Sequence, residues 1–418
     1  MKYVKFIAIL TLLASCSTNK TYHISENRKN AKAQESKPYV LLISIDGYRW
    51  DYTEKYSPKF LTKFRSSGAS ANSLTPSFPT KTFPNHLSIV TGRYPMHHGI
   101  VGNSFYAPTM REEYSLKNRK AVTDPRFYTA KPIWVLAEEQ KLLSGTYFWP
   151  GSEAKIDGIL PSYYLTYKHD TPHDERIKTI IEWFKLPAAN RPHLATLYFS
   201  DVDSAGHRYG PNSAEVREAI NKVDQSLEKL NNELTKLKLP INIIIVSDHG
   251  MTYVDPEKFE LIAEKELLEE LELSYKIVGK GPLVHFYSND EPLISPTSAL
   301  ERINKGAKHF QCITPDKTPK QLNFRNNPRI GDFVCIADKG WSLGVKQGHL
   351  PKGNHGWSQF DGTDMNSILY AKGPQFKEST VVKNIKNIDI YPMIAKILGL
   401  KFDHKIDGHI KNSQKLLK

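Results

Sequence analysis

Three aspartates and three histidines in four short clusters could together hold metal ions, and a threonine in a fifth segment could act as a nucleophile beside them. The clusters are Asp46-Gly47 at the end of an apolar run, Asp203 with His207, Asp248 with His249, and His355 within Gly-Asn-His-Gly. Singly each is weak, because Asp-Gly and Gly-Asn-His-Gly are turn compositions. Asp203-Ser-Ala-Gly-His207 alone reads as a surface loop. Together they mix oxygen and nitrogen donors, a mixture that suits Zn²⁺ better than Mg²⁺ or Ca²⁺. Six ligands divide into two three-ligand sites with open positions. Two ions about 4 Å apart can hold the attacking and leaving oxygens of an in-line displacement. The chemistry such a set names is metal-assisted attack on a phosphorus ester.

The nucleophile would come from Pro79-Thr-Lys-Thr-Phe-Pro-Asn-His86, where Thr80 and Thr82 compete. Pro84 to Thr91 reads as a helix with proline near its first turn. Thr82 then sits just before that helix, where terminal amides favour an anion and metal contact would lower the hydroxyl pKa. A plain helix cap is the simpler role for the same residue.

These groups need a scaffold, and the chain supplies strands that end at them. Tyr39-Val-Leu-Leu-Ile-Ser-Ile45 is a continuous apolar run followed at once by Asp46. Such runs mark strands buried on both faces of a parallel sheet. Leu194 to Phe199 precedes Asp201 and Asp203, and Ile241 to Val246 precedes Asp248. Residues 366–371 form a further strand. Between the second and third runs, Val216, Ile220, Val223, Leu227, Leu230 and Leu234 form one helical stripe over Ser213–Lys236, with Ser213 as its cap. Ile388 to Leu398 is a helix stopped by Gly399. Strands alternating with helices predict an α/β fold, with helices on both faces of a mostly parallel sheet. Ligands in such sheets sit beyond the carboxyl ends of the strands, where the acidic residues lie. Residues 255–345 are less regular, with a helix over 264–273, and read as an inserted smaller lobe at the rim of the site.

The first sixteen residues differ in kind. Lys2 and Lys5 precede an apolar stretch too short to span a bilayer, and Leu13-Ala-Ser-Cys16 closes it. This predicts a signal peptide over 1–16 with Cys16 lipidated, hence an exported cell-envelope lipoprotein held to a membrane by its N-terminal lipid. Residues 17–37 are polar and aperiodic, which predicts a flexible tether. Net charge is +13, of which only +5 lies between residues 38 and 400. No dense Lys/Arg block with interleaved aromatics occurs, so a nucleic-acid groove is not indicated. Export permits a disulfide between Cys312 and Cys335, and the sequence leaves their pairing open.

Several long motifs carry a resemblance. Phe78-Pro-Thr-Lys-Thr-Phe-Pro-Asn-His-Leu-Ser-Ile-Val-Thr-Gly92, His98-Gly-Ile-Val-Gly-Asn103, Tyr198-Phe-Ser-Asp-Val-Asp-Ser-Ala-Gly-His-Arg-Tyr-Gly-Pro211, Val246-Ser-Asp-His-Gly-Met251 and Gly353-Asn-His-Gly-Trp357 resemble the nucleotide pyrophosphatase/phosphodiesterase family of the alkaline phosphatase superfamily, in a bacterial lipoprotein form. The similarity runs from about residue 38 to about residue 400. It implies an alkaline phosphatase-like catalytic domain over 38–418. It implies one Zn²⁺ held by Asp203, His207 and His355 and another held by Asp46, Asp248 and His249. Thr82 would contact the second ion and become transiently phosphorylated, and Asn103 would donate a hydrogen bond to a non-bridging phosphoryl oxygen. One neutral donor suits a diester, which carries a single negative charge, and oriented donors of this kind are worth a few kcal/mol at the transition state. Val202 and Ala205 stand where the family commonly has Pro and Ser; neither is a ligand.

The implied activity is hydrolysis of nucleotide phosphodiester or pyrophosphate bonds to nucleoside 5′-monophosphates through a phosphothreonine. Phe105, Tyr106, Trp183, Phe184 and Trp357 are candidates to stack a base. Relatives that act on phospholipid or choline phosphodiesters share the metal motifs, so such a diesterase, or a phosphomonoesterase, is a rival reading. A non-catalytic binding lipoprotein is another, against which the complete ligand set speaks.

Overall fold

The computed structural model describes residues 22–418, and the signal peptide and Cys16 lie outside them. The predicted runs become the centre of a nine-stranded sheet. In spatial order it comprises His23–Ile24, Tyr163–Leu165, Ser144–Tyr147, Leu194–Phe199, Tyr39–Ile45, Ile241–Val246, Leu369–Lys372, Ala69–Ala71 and Thr380–Val382. The five strands from Tyr163–Leu165 to Ile241–Val246 are mutually parallel, and Leu369–Lys372 pairs antiparallel to the last of them.

The continuous apolar runs are explained by helices on both faces. Val40, Leu42, Ile244 and Val246 point into one core, with the helices Thr82–Thr91, Ile133–Glu139 and Ile390–Leu398. Leu41, Ile43, Ile45, Ile243 and Ile245 point into the other, with Lys59–Ser67, His173–Lys185 and Ala214–Lys236. Side chains alternate across a strand, so a strand covered twice must be apolar at every position. Each such residue contributes about 1.5–3 kcal/mol on full burial. The long helix carries its predicted stripe inward, and Ser213 accepts the Val216 amide at 3.2 Å. Gly399, in the left-handed region at φ 61°, ends the helix Ile390–Leu398.

Residues 255–345 include a separate four-stranded antiparallel sheet, ordered Tyr275–Lys280, Leu283–Ser288, Phe333–Ala337 and Phe310–Ile313, with its own core. Helices Lys265–Ser274 and Pro296–Gly306 pack on it. Cys312 and Cys335 face each other on adjacent strands and are disulfide-bonded.

The expectation of a flexible tether fails over residues 22–37. His23 and Ile24 extend the main sheet by pairing with Tyr164 and Tyr163. Asn30 is buried; its amide donates to the Ala188 and Arg191 carbonyls and accepts the Leu143 amide. Arg28 donates to Glu138, a buried carboxylate that also accepts the amides and hydroxyls of Ser144 and Ser162. The segment is anchored by polar groups, so it has no apolar period for a sequence reading to detect.

Candidate metal centre and nucleophile

Parallel pairing brings the acidic residues together. Phe199 stands beside Ile45, and Val246 beside Ser44, so the strands end side by side and Asp46, Asp203 and Asp248 follow at one edge. Asp46 turns on Gly47, at φ 67°, where a Cβ would come within 2.8 Å of Asp203 Cα. Only glycine allows so close an approach. Asp203 and His207 lie on a helix, Asp201–Tyr209, rather than on a surface loop. Their spacing of four places both on one helical face. Gly206 is inside that helix because the Met251 side chain and the Gly353 loop press against it. His249 follows Asp248, and His355 follows the short strand Gly353–Asn354 that pairs with Thr252–Tyr253.

All six expected ligands converge. Asp203, His207 and His355 offer ligand atoms within 4.8 Å of one another, as do Asp46, Asp203 and His249, and also Asp46, His86 and Asp248. His249 Nε2 lies 3.4 Å from Asp46 Oδ1 and 3.0 Å from Asp248 Oδ2. Asp46, Asp248, His249 and His355 are buried, whereas Asp203 and His207 keep side-chain exposures of 16% and 33%. The centre therefore opens to solvent on that side.

Two features fit this set to cations. Asp46 Oδ1, Asp203 Oδ1 and Asp248 Oδ2 are buried oxygens without a hydrogen-bond donor. Buried polar groups in folded proteins are otherwise almost all satisfied. The three imidazoles are also held in one tautomer. His207 Nδ1 donates to the Gly353 carbonyl at 2.7 Å, His249 Nδ1 to the Gly250 carbonyl at 2.9 Å, and His355 Nδ1 to the Thr80 carbonyl at 2.7 Å. A carbonyl can only accept, so each Nδ1 carries a proton and, in the neutral ring, Nε2 is the atom that presents a lone pair. The Nε2 atoms of His207 and His355 then face each other at 3.1 Å. Two lone pairs at that distance repel unless a positive charge lies between or beside them. Backbone carbonyls that fix ligating histidines in this way are the usual outer partners of metal sites.

Electrostatics agree. Burial, followed by the Asp248 and Asp203 charges, pushes the Asp46 carboxyl well above its ordinary range. Burial acts in the same direction on Asp248, but the His249 and His86 imidazoles outweigh it and hold that carboxyl well below. Burial and the neighbouring His249, Lys81 and His207 keep His355 neutral. Burial lowers His249, but the Asp248 carboxylate outweighs it and raises that imidazole overall, so the centre gathers buried carboxyls beside one raised imidazole and the neutral His355.

The two candidate threonines differ in their contacts. Thr80 is buried, its hydroxyl donating to the Trp357 carbonyl at 2.9 Å and accepting the Gly356 amide at 2.9 Å. Its one proton is committed to that carbonyl. Thr82 is half-buried, with Oγ1 3.3 Å from His249 Nε2. It is the first residue of the helix Thr82–Thr91, not the residue before it, and makes no side-chain cap. Asn103 Oδ1 accepts the Phe83 amide at 3.0 Å. An amide hydrogen needs an acceptor, which leaves the Asn103 NH₂ as the end available to a ligand.

The expected base-stacking aromatics are corrected by burial. Trp183 and Phe184 are 0% and 1% exposed, packed on Tyr22, Tyr163 and Tyr39 within the core. Phe105 is enclosed against Tyr114 and Phe127. Trp357 is 1% exposed, its Nε1 donating to the Trp341 carbonyl. Tyr106 packs edge-on to Tyr287 with Lys276 over its ring. Aromatics on the centre's own rim are Phe83, next to Thr82 and half-buried, and Tyr167, 38% exposed. Tyr167 leans on Tyr198, whose hydroxyl donates to Asp46 Oδ2 at 2.5 Å.

Sequence reasoning also missed His86. Its Nδ1 donates to the Thr82 carbonyl at 2.9 Å and lies 3.3 Å from Asp248 Oδ2, while Nε2 accepts from Ser44. The signal was present: His86 is four residues after Thr82, on the same face of the helix.

An α/β sheet with carboxylates and imidazoles gathered at its carboxyl edge, beside a threonine hydroxyl at a helix start, defines a site that could hold metal ions. Comparison with known proteins places it further. The chain belongs to the type I phosphodiesterase / nucleotide pyrophosphatase family, whose model matches residues 40–358. It is 36% identical over 381 residues to mouse ectonucleotide pyrophosphatase/phosphodiesterase family member 1, covering 88% of this chain and 41% of that one. It is 32% identical over 373 residues to the venom phosphodiesterase of Naja atra, covering 87% of this chain and 44% of that one. The chain thus spans less than half the length of these relatives. Among solved structures it resembles murine ectonucleotide pyrophosphatase/phosphodiesterase 5, an inactive threonine-to-alanine variant in complex with AMP. The TM-score is 0.84 at 28% identity, over 91% of this chain and 100% of that one. The human counterpart gives 0.84 at 30% identity. No helix among the described residues is long and apolar enough to cross a membrane.

Proposed function

We propose that this chain is a zinc-dependent nucleotide pyrophosphatase/phosphodiesterase that releases nucleoside 5′-monophosphates through a phosphothreonine. The observation that carries this reading is the convergence of unpaired carboxylate oxygens and Nε2 lone pairs within reach of Thr82 Oγ1. The mixed donor set favours zinc. Asp203, His207 and His355 would hold one ion; Asp46, Asp248 and His249 would hold the other. Bound zinc would supply Lewis-acid polarisation of the phosphoryl oxygens and a lowered pKa for the Thr82 hydroxyl.

Thr82 Oγ1 gives up its proton and forms a bond to phosphorus as the bond to the leaving oxygen breaks; that oxygen departs with the electron pair and takes up a proton from solvent. Water then cleaves the threonine ester, which restores the hydroxyl and releases the monophosphate. Asn103 donates its NH₂ to a non-bridging oxygen, a neutral partner for a singly charged diester. Phe83 and Tyr167 offer aromatic faces for the nucleoside. A relative inactive as a threonine-to-alanine variant and binding AMP supports both the nucleophile and the substrate class. We place the protein outside the cytoplasm, anchored by lipid at Cys16; mass spectrometry of the N-terminal peptide checks this.

The deciding experiment compares turnover of an aryl nucleotide diester with that of an aryl monophosphate, using wild type and Thr82→Ala. The diester is expected to be cleaved faster, and only by wild type. Faster monoester turnover, or undiminished turnover in Thr82→Ala, overturns the reading.

A further inference from the structure

The turn that carries Thr82 is sewn to the loop that carries His355. Three contacts come from Thr80: its carbonyl accepts His355 Nδ1–H, its hydroxyl donates to the Trp357 carbonyl, and the same oxygen accepts the Gly356 amide. Two come from Lys81, whose ammonium donates to the His355 carbonyl and reaches Asn354 Oδ1 at 3.4 Å. The Lys81 stem lies against Gly356, at φ 125°, where a Cβ would strike Lys81 Cε. A backbone in that region favours glycine, so the loop accommodates the lysine rather than the reverse.

The sign of the charge is informative. An ammonium beside a cluster that gathers cations repels them, and like charges are costly at short range. Lys81 therefore works against metal binding by charge alone. What it offers the site is its pair of hydrogen bonds to the loop.

We propose that Thr80 and Lys81 are positioning residues that clasp the His355 loop onto the nucleophile turn, fixing the His355 tautomer and the distance from Thr82 to the Asp203–His207–His355 cluster. This rests on the functional reading above. Because Thr80 touches neither the nucleophile's oxygen nor its histidine partner's Nε2, its effect passes through His355. Loss of an outer partner of this kind weakens a metal site by about 10- to 100-fold.

The test measures zinc affinity of the chelator-stripped, full-length protein by competition with a chromophoric chelator, alongside kcat and KM on an aryl nucleotide diester. Thr80→Val keeps the shape and removes the hydroxyl. The variant keeps the Thr80 carbonyl on His355 Nδ1 and loses only the two hydroxyl contacts that hold the loop, so it is expected to weaken one of two zinc ions by about 10-fold, the lower end for an outer contact, and to lower kcat more than it changes KM. Thr80→Ser, which restores the hydroxyl, is expected to recover most of both. Lys81→Met discriminates by sign: the clasp requires weaker zinc binding, whereas a purely electrostatic lysine requires tighter. If Thr80→Val does not fold, Lys81→Met carries the test alone. Wild-type affinity and kcat in Thr80→Val, or tighter zinc in Lys81→Met, overturns the clasp while leaving the functional reading intact. A wild-type protein that neither binds zinc nor cleaves the diester overturns both.

Discussion

Replacing Asp46 by asparagine should stabilise the metal-free protein and cut its stabilisation by zinc to well under half. Asp46 is buried within 4.8 Å of ligand atoms on both Asp203 and Asp248. Two unit charges at that distance repel by about 3.5 kcal/mol at an effective dielectric constant near 20. Asp46→Asn removes both repulsions. Against this, it forfeits the attraction to His249, whose imidazole, although burial lowers it, is raised overall by Asp248. It also weakens the charge-assisted bond from Tyr198, worth about 1 kcal/mol over a neutral one. The balance leaves about 1–2 kcal/mol in favour of asparagine when no metal is bound. With zinc at a hundred times its dissociation constant, wild type gains about 2.7 kcal/mol by mass action, and the variant, lacking one anionic ligand, should gain well under half of that. Urea unfolding in chelator and in zinc reads both quantities. The pH dependence supplies a further check. A carboxyl whose folded pKa is raised is protonated, and unrepelled, at low pH; its penalty sets in as pH rises through that raised value. The advantage of Asp46→Asn should therefore vanish on acidification. An Asp46→Asn protein that is less stable in chelator, and gains as much from zinc as wild type, would refute the convergence of charge on which the site is argued.

Other consequences are independent of that one. Thr82→Ala should lose at least about a thousandfold in kcat and form no acid-stable phosphoprotein, yet bind zinc nearly as wild type, as radiolabelled substrate and metal analysis would show. Asn103→Ala should raise the barrier by about 2.7–4 kcal/mol, seen as a fall in kcat with modest change in KM. Glu138→Ala strands four buried donors and removes one partner of the half-buried Arg28 guanidinium. It should cost about 3–5 kcal/mol of stability with zinc affinity unchanged. His285 is buried with its pKa lowered to about 4, so between pH 6.5 and about 4 the unfolded chain takes a proton that the folded one refuses. Wild type should lose up to about 1.4 kcal/mol per pH unit there, and His285→Gln should flatten that slope.

Much of this architecture was legible locally. The runs 39–45, 194–199 and 241–246 become the parallel strands they promise, because a strand covered on both faces must be apolar throughout. The helix over 214–236 shows its stripe and its cap in the sequence. The docking of residues 22–37 was not legible, because Asn30 and Arg28 hold it through polar contacts made more than a hundred residues away. The aromatics near the motifs misled for a related reason. Trp183 and Phe184 face the core because the helix His173–Lys185 presents them to Tyr22 and Tyr39, and nothing in their own composition separates a base platform from packing.

The chain's residue pattern by itself determined the central strands and long helix, and it singled out the six side chains that converge and the segment that carries Thr80 and Thr82, since periodicity and strand ends are properties of neighbouring residues. Tertiary structure alone decided that Thr82 rather than Thr80 is free, that Asp203 and His207 ride a helix, that three histidines present Nε2, and that Cys312 and Cys335 are joined. Each of those outcomes depends on a partner distant in sequence, whose approach no local pattern encodes.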